Sequence, residues 1–131
     1  MEYSFDVERR FDSPAGAGNI EAPREGAVAH GEAEDRSLNV WIRFEVQADG
    51  GTIREARFRA FGCPHTIAAA SWAAEALRGA PVDALRSFDV DAARRALNVP
   101  KEKLGKLLRI EDALRACAER LTEAALEPLE G

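Results

Sequence analysis

The chain has 131 residues, 46% of them hydrophobic, which fits one domain with a modest core and argues against two domains. Its formal net charge of -5 lacks the basic excess of a general nucleic-acid binder, so we expect no nucleic-acid partner. Two cysteines, Cys63 and Cys117, exclude a disulfide framework, a zinc finger within one chain and a site of four thiolates from one chain.

The amino-terminal part of the chain predicts one short helix followed by a loop. Tyr3, Val7 and Phe11 recur every four residues, which is the spacing of one helical face. Residues 15–37 are rich in Gly, Ala, Glu and Pro and show weak periodicity. This composition predicts a mobile loop that contains one short strand near Ala27–Ala29.

Two alternating runs then predict an antiparallel hairpin. Apolar and polar residues alternate from Leu38 to Val46, the pattern of a strand with one buried face. Asp49-Gly50-Gly51 tolerates the positive φ of a tight turn, and a second alternating run follows from Glu55 to Ala60. Trp41 falls in the polar set of the first strand, so it is either an exposed interface anchor or a side chain covered by a loop or helix.

The remaining sequence predicts helices. An Ala-rich helix begins at Pro64 and stops at Gly79, because proline suits the first helical turn and glycine suits the end. Further helical patterns run over Val82–Arg86, Val90–Leu97 and from Lys101 to near the end of the sequence. The predicted fold class is α+β, a small antiparallel three-stranded sheet with helices packed on one face, and we predict a single domain over residues 1–131.

The sequence also predicts where the protein acts. Charged residues occupy the amino terminus, where a secretory segment would need an apolar run. The most apolar stretch, Ile67–Leu77, is shorter than the roughly 20 residues that span a bilayer. We therefore expect a cytoplasmic protein with no membrane partner.

Cys63 lies where the second strand gives way to a helix. The N–H groups and the dipole at a helix N-terminus favour a thiolate, which suits metal binding or nucleophilic attack; the alternative is a small residue packed at a tight turn. His65 is a second candidate ligand or base, or else a surface residue of the first turn. Cys117 belongs to the apolar stripe of the last helix, so we predict that it is buried in the core.

Two charged clusters also invite interpretation. The acidic segment Glu32–Asp35 offers oxygen ligands, or is a solvated loop. The cations Lys101, Lys103, Lys106 and Arg109 occupy the first turns of the last helix, where positive charge opposes the helix dipole. This arrangement favours a partner or an internal acidic counterpart, the alternative being a solvated face.

Several motifs recur in a recognisable order and spacing. They are Tyr3-Ser4, the strand Leu38 to Val46, Ala56-Arg57-Phe58-Arg59-Ala60-Phe61-Gly62-Cys63, Gly79, Leu97, Pro100 and Glu111-Asp112-Ala113-Leu114. Together they resemble the iron–sulfur cluster scaffold proteins of the IscU type, equivalent to the amino-terminal domain of NifU. The resemblance covers most of the chain, and it implies a role in cluster assembly. We expect no enzymatic activity, because no second catalytic group of residues is evident beside Cys63 and His65.

The resemblance also assigns positions to the family's site. Family members build clusters on three cysteines, helped by an aspartate near the first and a histidine beside the third. Here only Cys63 matches, at the place of the second cysteine. The place of the first falls on Glu34 or Asp35, and the place of the third falls on Lys106, so this chain resembles a degenerate member of the family.

One thiolate is too few for a stable cluster on one chain, because a [2Fe-2S] cluster usually takes four protein ligands. We therefore expect no stably bound cofactor; the alternatives are iron, zinc or a cluster, with Cys63, Asp35 and His65 as ligands. A homodimer could supply two Cys63 and two His65 side chains, a set that suits zinc. We hypothesise that Lys106 replaces the metal's charge and forms an ion pair with Glu34 or Asp35.

Two functions follow from this interpretation. The first is a carrier or accessory protein of iron–sulfur cluster assembly that acts through Cys63, with a cysteine desulfurase or another assembly protein as partner. The second is a metal-free interaction or regulatory module that keeps the fold and the partner-facing surface. Replacing Cys63 by serine distinguishes them, because only the first needs the thiol.

Overall fold

The structure is a computed structural model that describes residues 3–20 and 26–126. In these residues the order of elements is α1 (Phe5–Asp12), β1 (Ala27–Asp35), β2 (Val40–Asp49), β3 (Thr52–Phe61), α2 (Pro64–Leu77), α3 (Ala84–Ser87), α4 (Val90–Ala96) and α5 (Leu104–Leu126), with a 3-10 turn at Lys101–Lys103. Over the same ranges, no helix has both the length and the apolar character that crossing a membrane requires.

The three strands form one antiparallel sheet in the order β1-β2-β3. Strand β2 lies in the middle, and its residues alternate between buried and half-buried positions, as the alternating sequence predicts. The turn into β3 contains Gly50 and Gly51, with φ of 61° and 81°. The predicted hairpin and the α+β class are confirmed.

Strand β1 corrects the sequence-based prediction for residues 15–37. A short strand near Ala27–Ala29 was expected within a loop, but β1 runs for nine residues to Asp35 and pairs with β2 along its length. Its inward-facing positions carry small residues and therefore give no apolar alternation. At Gly31 an added Cβ would lie 2.3 Å from the Ala113 carbonyl oxygen of α5, so only glycine fits. Residues 21–25 of the predicted loop lie outside the described residues.

Helix α1 and the segment after it are anchored to the rest of the fold. The Ser4 hydroxyl accepts from the Val7 N–H and donates to the Leu97 carbonyl at 2.6 Å. Arg10 donates to the buried Ser71 hydroxyl of α2 at 3.1 Å. After α1, the Gly18 N–H donates to the Phe58 carbonyl and the Phe58 N–H donates to the Gly16 carbonyl, which extends the edge of the sheet beside β3.

The core lies between the sheet and the helices packed on one of its faces. Helix α2 presents alanines to the sheet, and α5 lies against β1 and β2. The largest fully buried apolar side chains are Phe44, Ile42, Ile53, Leu77, Leu85, Leu107, Ile110 and Leu114. Cys117 is fully buried among them and lies 3.5 Å from the Phe44 carbonyl oxygen, which confirms its predicted place in the core.

Candidate functional site

Cys63 connects the end of β3 to the start of α2, as the sequence predicts. It is the N-cap residue of α2, with extended backbone, and Pro64 occupies the first turn. A Cβ at Gly62 would lie 3.2 Å from the Thr66 Cβ atom, so this turn has little room for a larger residue. The thiol is free and half-buried, and it lies 3.6 Å from the Thr66 hydroxyl oxygen.

The surroundings of Cys63 favour its thiolate. Burial alone would raise the pKa of the thiol, but three nearby groups outweigh it: the Thr66 hydroxyl, the backbone N–H groups of Thr66 and His65, and the charge of Lys106. The pKa of Cys63 therefore lies below its ordinary value. A lowered pKa at a partly exposed thiol is the usual setting of a reactive cysteine.

His65 is buried, with 1% of its surface exposed, so it is not a surface residue of the first turn. Its ring packs edge-on against the ring of Tyr3, with centroids 4.7 Å apart. Burial, and then the charges of Lys103 and Lys106, lower the pKa of His65, which favours the neutral form of the imidazole. Its Nδ1 atom is buried without a hydrogen-bond partner among the described residues, an unusual state for a polar atom in a protein interior.

The predicted ion pair of Lys106 with Glu34 or Asp35 is absent. Glu34 instead lies 3.8 Å from Arg36, and Asp35 lies 3.8 Å from Arg109 of α5. Lys106 forms no ion pair within residues 3–20 and 26–126, but its charge acts on both Cys63 and His65. The half-buried cation therefore acts on the thiol and the imidazole and pairs with neither carboxylate.

The Asp35 carboxylate makes its hydrogen bonds within the turn between β1 and β2. Its carboxylate accepts from the Ser37 hydroxyl at 2.6 Å and from the Leu38 N–H at 3.2 Å. These contacts, led by Ser37 and helped by Arg109, hold the pKa of Asp35 below its ordinary value although burial opposes them. The side chain therefore stabilises a turn and does not point a free carboxylate at Cys63.

The predicted ligands Cys63, Asp35 and His65 do not form one metal-binding group. Within the described ranges, no three His, Cys, Asp or Glu side chains converge in a way that could hold a metal ion. The structure instead joins Cys63 to Thr66, His65 and Lys106. Such a group can stabilise one thiolate, but it offers few donors to a metal centre.

Three contacts at or near the candidate site were not predicted from the sequence. Thr66 is three residues after the N-cap Cys63, the spacing at which N-terminal capping contacts form, so this signal was present in the sequence. The packing of Tyr3 on His65 joins residues 62 positions apart, and no local pattern reports such a contact. Arg109 was placed in a basic cluster, but only the fold reveals that Asp35 is its partner.

Comparison with known proteins places the chain in a family. The model of the NifU-like N terminal domain matches residues 2–125. The iron-sulfur cluster assembly protein IscU of Plasmodium falciparum (isolate 3D7) is 31% identical over 127 residues, which cover 95% of this chain and 76% of the relative. The iron-sulfur cluster assembly scaffold protein IscU of Escherichia coli (strain K12) is 27% identical over 117 residues, covering 88% and 91%.

Solved structures share the fold at lower identity. A NifU-like protein (N-terminal) from Brucella abortus superposes with a TM-score of 0.69 at 16% identity, covering 91% of this chain and 93% of that one. A scaffold protein for the SUF system from Fervidobacterium islandicum AW-1 gives a TM-score of 0.66 at 16% identity, covering 88% and 96%. With the family model matched over nearly the whole sequence, this chain belongs to the NifU-like N-terminal domain family, whose named relatives include the IscU scaffold proteins of iron–sulfur cluster assembly.

Proposed function

We propose that this chain is a carrier or accessory protein of iron–sulfur cluster assembly that receives sulfur on Cys63 and holds no stable cluster by itself. The observation that carries the proposal is a half-buried free thiol whose pKa is lowered, against its burial, by Thr66, backbone N–H groups and Lys106. Membership of the family supplies the context, because relatives are named cluster assembly proteins.

The chemistry that suits Cys63 is thiol exchange with a persulfide. The Cys63 thiolate attacks the outer sulfur of a persulfide on a partner, for which we propose a cysteine desulfurase. A new S–S bond forms at Cys63 Sγ while the S–S bond of the donor breaks, and the donor cysteine leaves as a thiolate. The exchange moves a sulfur atom between two cysteines and needs no external oxidant or reductant.

A cluster held by one chain does not fit the donors present. Four ligands usually hold such a cluster, but the described residues provide one half-buried thiol, a buried imidazole and a cation whose charge acts on both. Lys106 disfavours a metal cation at this position by charge repulsion. The proposed transfer of sulfur to Cys63 therefore involves no iron. We propose a binding role for the chain, without enzymatic turnover.

The need of the proposed chemistry for a free thiol supports a location. Cys63 and Cys117 are both free. Free thiols persist in reducing compartments, so we propose that the protein acts in the cytoplasm.

Anaerobic sulfur transfer tests the proposal. The purified protein is incubated with a cysteine desulfurase and cysteine, and the intact mass is then measured. We expect one added sulfur atom on the wild type and on Cys117→Ser, and none on Cys63→Ser. Sulfur on Cys117, or no transfer to the wild type, would refute the carrier role.

The metal content of the same preparation tests the second half of the proposal. Iron, zinc and acid-labile sulfide are measured in protein isolated without oxygen. We expect each to be far below one equivalent per chain. Iron and sulfide at stoichiometric levels would show that the chain does hold a cluster, and stoichiometric zinc in a dimer would favour a site shared by two chains.

A further inference from the structure

An aromatic pair lies on the open face of the sheet, close to Cys63. The strand register places Trp41 of β2 beside Phe61 of β3, at the end of the sheet where the chain turns into Cys63. Phe61 is 61% exposed and lies two positions before Cys63 in the sequence. An exposed aromatic side chain of this size beside a reactive thiol is a candidate anchor for a protein interface.

Trp41 is held in one orientation. Its indole Nε1 donates to the Glu32 Oε1 atom at 2.9 Å, and Arg43 donates to the other oxygen of the same carboxylate at 3.1 Å. Because these bonds already fix the ring, binding against it costs little further side-chain entropy. Trp41 is therefore a preformed part of the surface.

Cations without an ion-pair partner among the described residues occur near Cys63 and His65 and beside the aromatic pair in the strand register, although the chain is acidic overall. Arg59 is exposed on β3, directly across from Arg43 in the strand register, and it forms no ion pair with another described residue. Lys103 and Lys106 likewise have no ion-pair partner in the described part of the chain, and their charges reach His65.

The described carboxylates at the same end of the sheet form ion pairs with arginines other than Arg59. Glu34 lies against Arg36 and Asp35 lies against Arg109, each at 3.8 Å. Arg109 also pairs with Asp112, and Glu32 and Glu45 share Arg43. Arg59, Lys103 and Lys106, which form no ion pair with another described residue, are therefore the cations that an acidic partner surface could complement.

We propose that Trp41, Arg59 and Phe61 form a docking surface, the aromatic corner, for an acidic segment of a partner protein that carries one apolar side chain. The apolar side chain packs on Phe61 and Trp41, and its neighbouring carboxylates face Arg59 and Lys106. This docking proposal rests on the proposed function in one respect, namely that the partner that binds the aromatic corner also reaches Cys63. A nucleic acid is the other polyanion that these cations could attract, and the experiment below includes it as the competing outcome.

A synthetic peptide with one phenylalanine between aspartates and glutamates is the probe. Trp72→Phe leaves Trp41 as the one tryptophan, and Cys63→Ser removes any thiol chemistry, so Trp41 fluorescence reports docking alone. We expect a saturable change in emission with the acidic peptide that weakens as salt rises. A peptide with lysines in place of the acids, and a single-stranded DNA oligonucleotide, should bind at least about tenfold more weakly.

Two variants with matched controls locate the binding. Phe61→Ala should weaken the acidic peptide by at least about tenfold, and Arg59→Glu by about fivefold. Phe5→Ala removes the side chain of an aromatic residue on α1 that is 75% exposed. Arg54→Glu reverses the charge of an exposed residue elsewhere on β3. Both control variants should leave binding of the acidic peptide unchanged. Unfolding temperatures check that all four variants fold.

Any of four results would overturn the proposal of the aromatic corner. They are the absence of saturable binding, equal binding of the basic peptide, tighter binding of the oligonucleotide, and equal losses of binding in the control variants. Because the binding measurement uses the Cys63→Ser background, its failure is separate from a failure of sulfur transfer to Cys63. Sulfur transfer that proceeds without peptide binding would leave the carrier role intact and remove this docking surface.

Discussion

The Cys63 Sγ atom lies 3.6 Å from the Thr66 Oγ1 atom, one helical turn apart at the start of α2. Thr66 is fully buried, so its hydroxyl has little access to water and faces the thiol instead. Of the groups that lower the pKa of Cys63, this hydroxyl contributes most. A threonine at this position therefore helps to set the reactivity of the cysteine.

Thr66→Val removes the hydroxyl while keeping the volume of the side chain. We expect the pKa of Cys63 to rise, because the thiolate loses its strongest stabilising contact. The pH dependence of the rate of alkylation by iodoacetamide measures this pKa. Thr122→Val, which removes a hydroxyl bonded to the Ala118 carbonyl in α5, is the control and should leave the profile unchanged. An unchanged pKa in Thr66→Val would contradict the assignment.

Lys106→Met tests whether the lysine faces Cys63 and His65. Its charge lowers the pKa of both groups, so removing it should raise both pKa values together. Alkylation kinetics report on the thiol, and an NMR titration of the imidazole protons reports on the histidine. Lys101→Met removes a nearby cation whose charge acts on Asp91 instead, and should change neither value. A rise in only one of the two pKa values would show that Lys106 does not lie between them.

The sequence predicts those parts of the fold whose signals are local. Strand β2, the glycine turn and the limits of α2 follow from alternation, positive φ and helix-stop residues, and each is present. The Asp89 side chain caps α4 by accepting from the Asp91 N–H, a contact between residues two positions apart. These features depend on residues close in the sequence, so they can be predicted without knowledge of the fold.

Features that depend on contacts distant in sequence are the ones that were missed. Strand β1 has no apolar alternation because α5 approaches so closely that Gly31 fits where a larger residue would not. The ion pair assigned to Lys106 was wrong because Arg109, one helical turn further along α5, is the cation that lies against Asp35. The charge of Asp35 predicts that its partner is a cation. The positions of Lys106 and Arg109 around the axis of α5 decide which of the two contacts it.

The buried imidazole predicts how stability depends on pH. The pKa of His65 is lowered in the folded protein by burial and by Lys103 and Lys106, so the unfolded chain binds a proton more readily. Its contribution to the free energy of unfolding is therefore present above the unfolded pKa of about 6.5 and is lost as the pH falls below it. Urea unfolding from about pH 7 to about pH 5 should show this loss, and it should be smaller in His65→Phe.

His30 provides the control for that measurement. It is the other histidine of the chain and lies half-buried on β1. We expect His30→Gln to retain the pH dependence of the wild type. If His65→Phe and His30→Gln lose stability equally on acidification, the buried imidazole is not its source.

The two thiols should differ sharply in reactivity. Burial raises the pKa of Cys117 to about 12, whereas the pKa of Cys63 is lowered. Native protein treated with iodoacetamide at mildly alkaline pH should therefore gain one label, on Cys63, and Cys63→Ser should gain none. Denatured protein should gain two. A label on Cys117 under native conditions would contradict its place in the core.

The contact between β1 and α5 predicts one position that tolerates only glycine. A Cβ at Gly31 would lie 2.3 Å from the Ala113 carbonyl oxygen and 2.6 Å from the Cys117 backbone nitrogen, so Gly31→Ala must push the helix off the strand. Because both atoms belong to backbone, no side chain can move aside, and we expect a loss of about 3 kcal/mol in the free energy of unfolding. Gly105→Ala in α5 meets nothing within 4 Å and should leave that free energy unchanged or slightly higher, since alanine favours helix. Urea unfolding measures both variants, and equal stability in the two would show that α5 does not rest on Gly31.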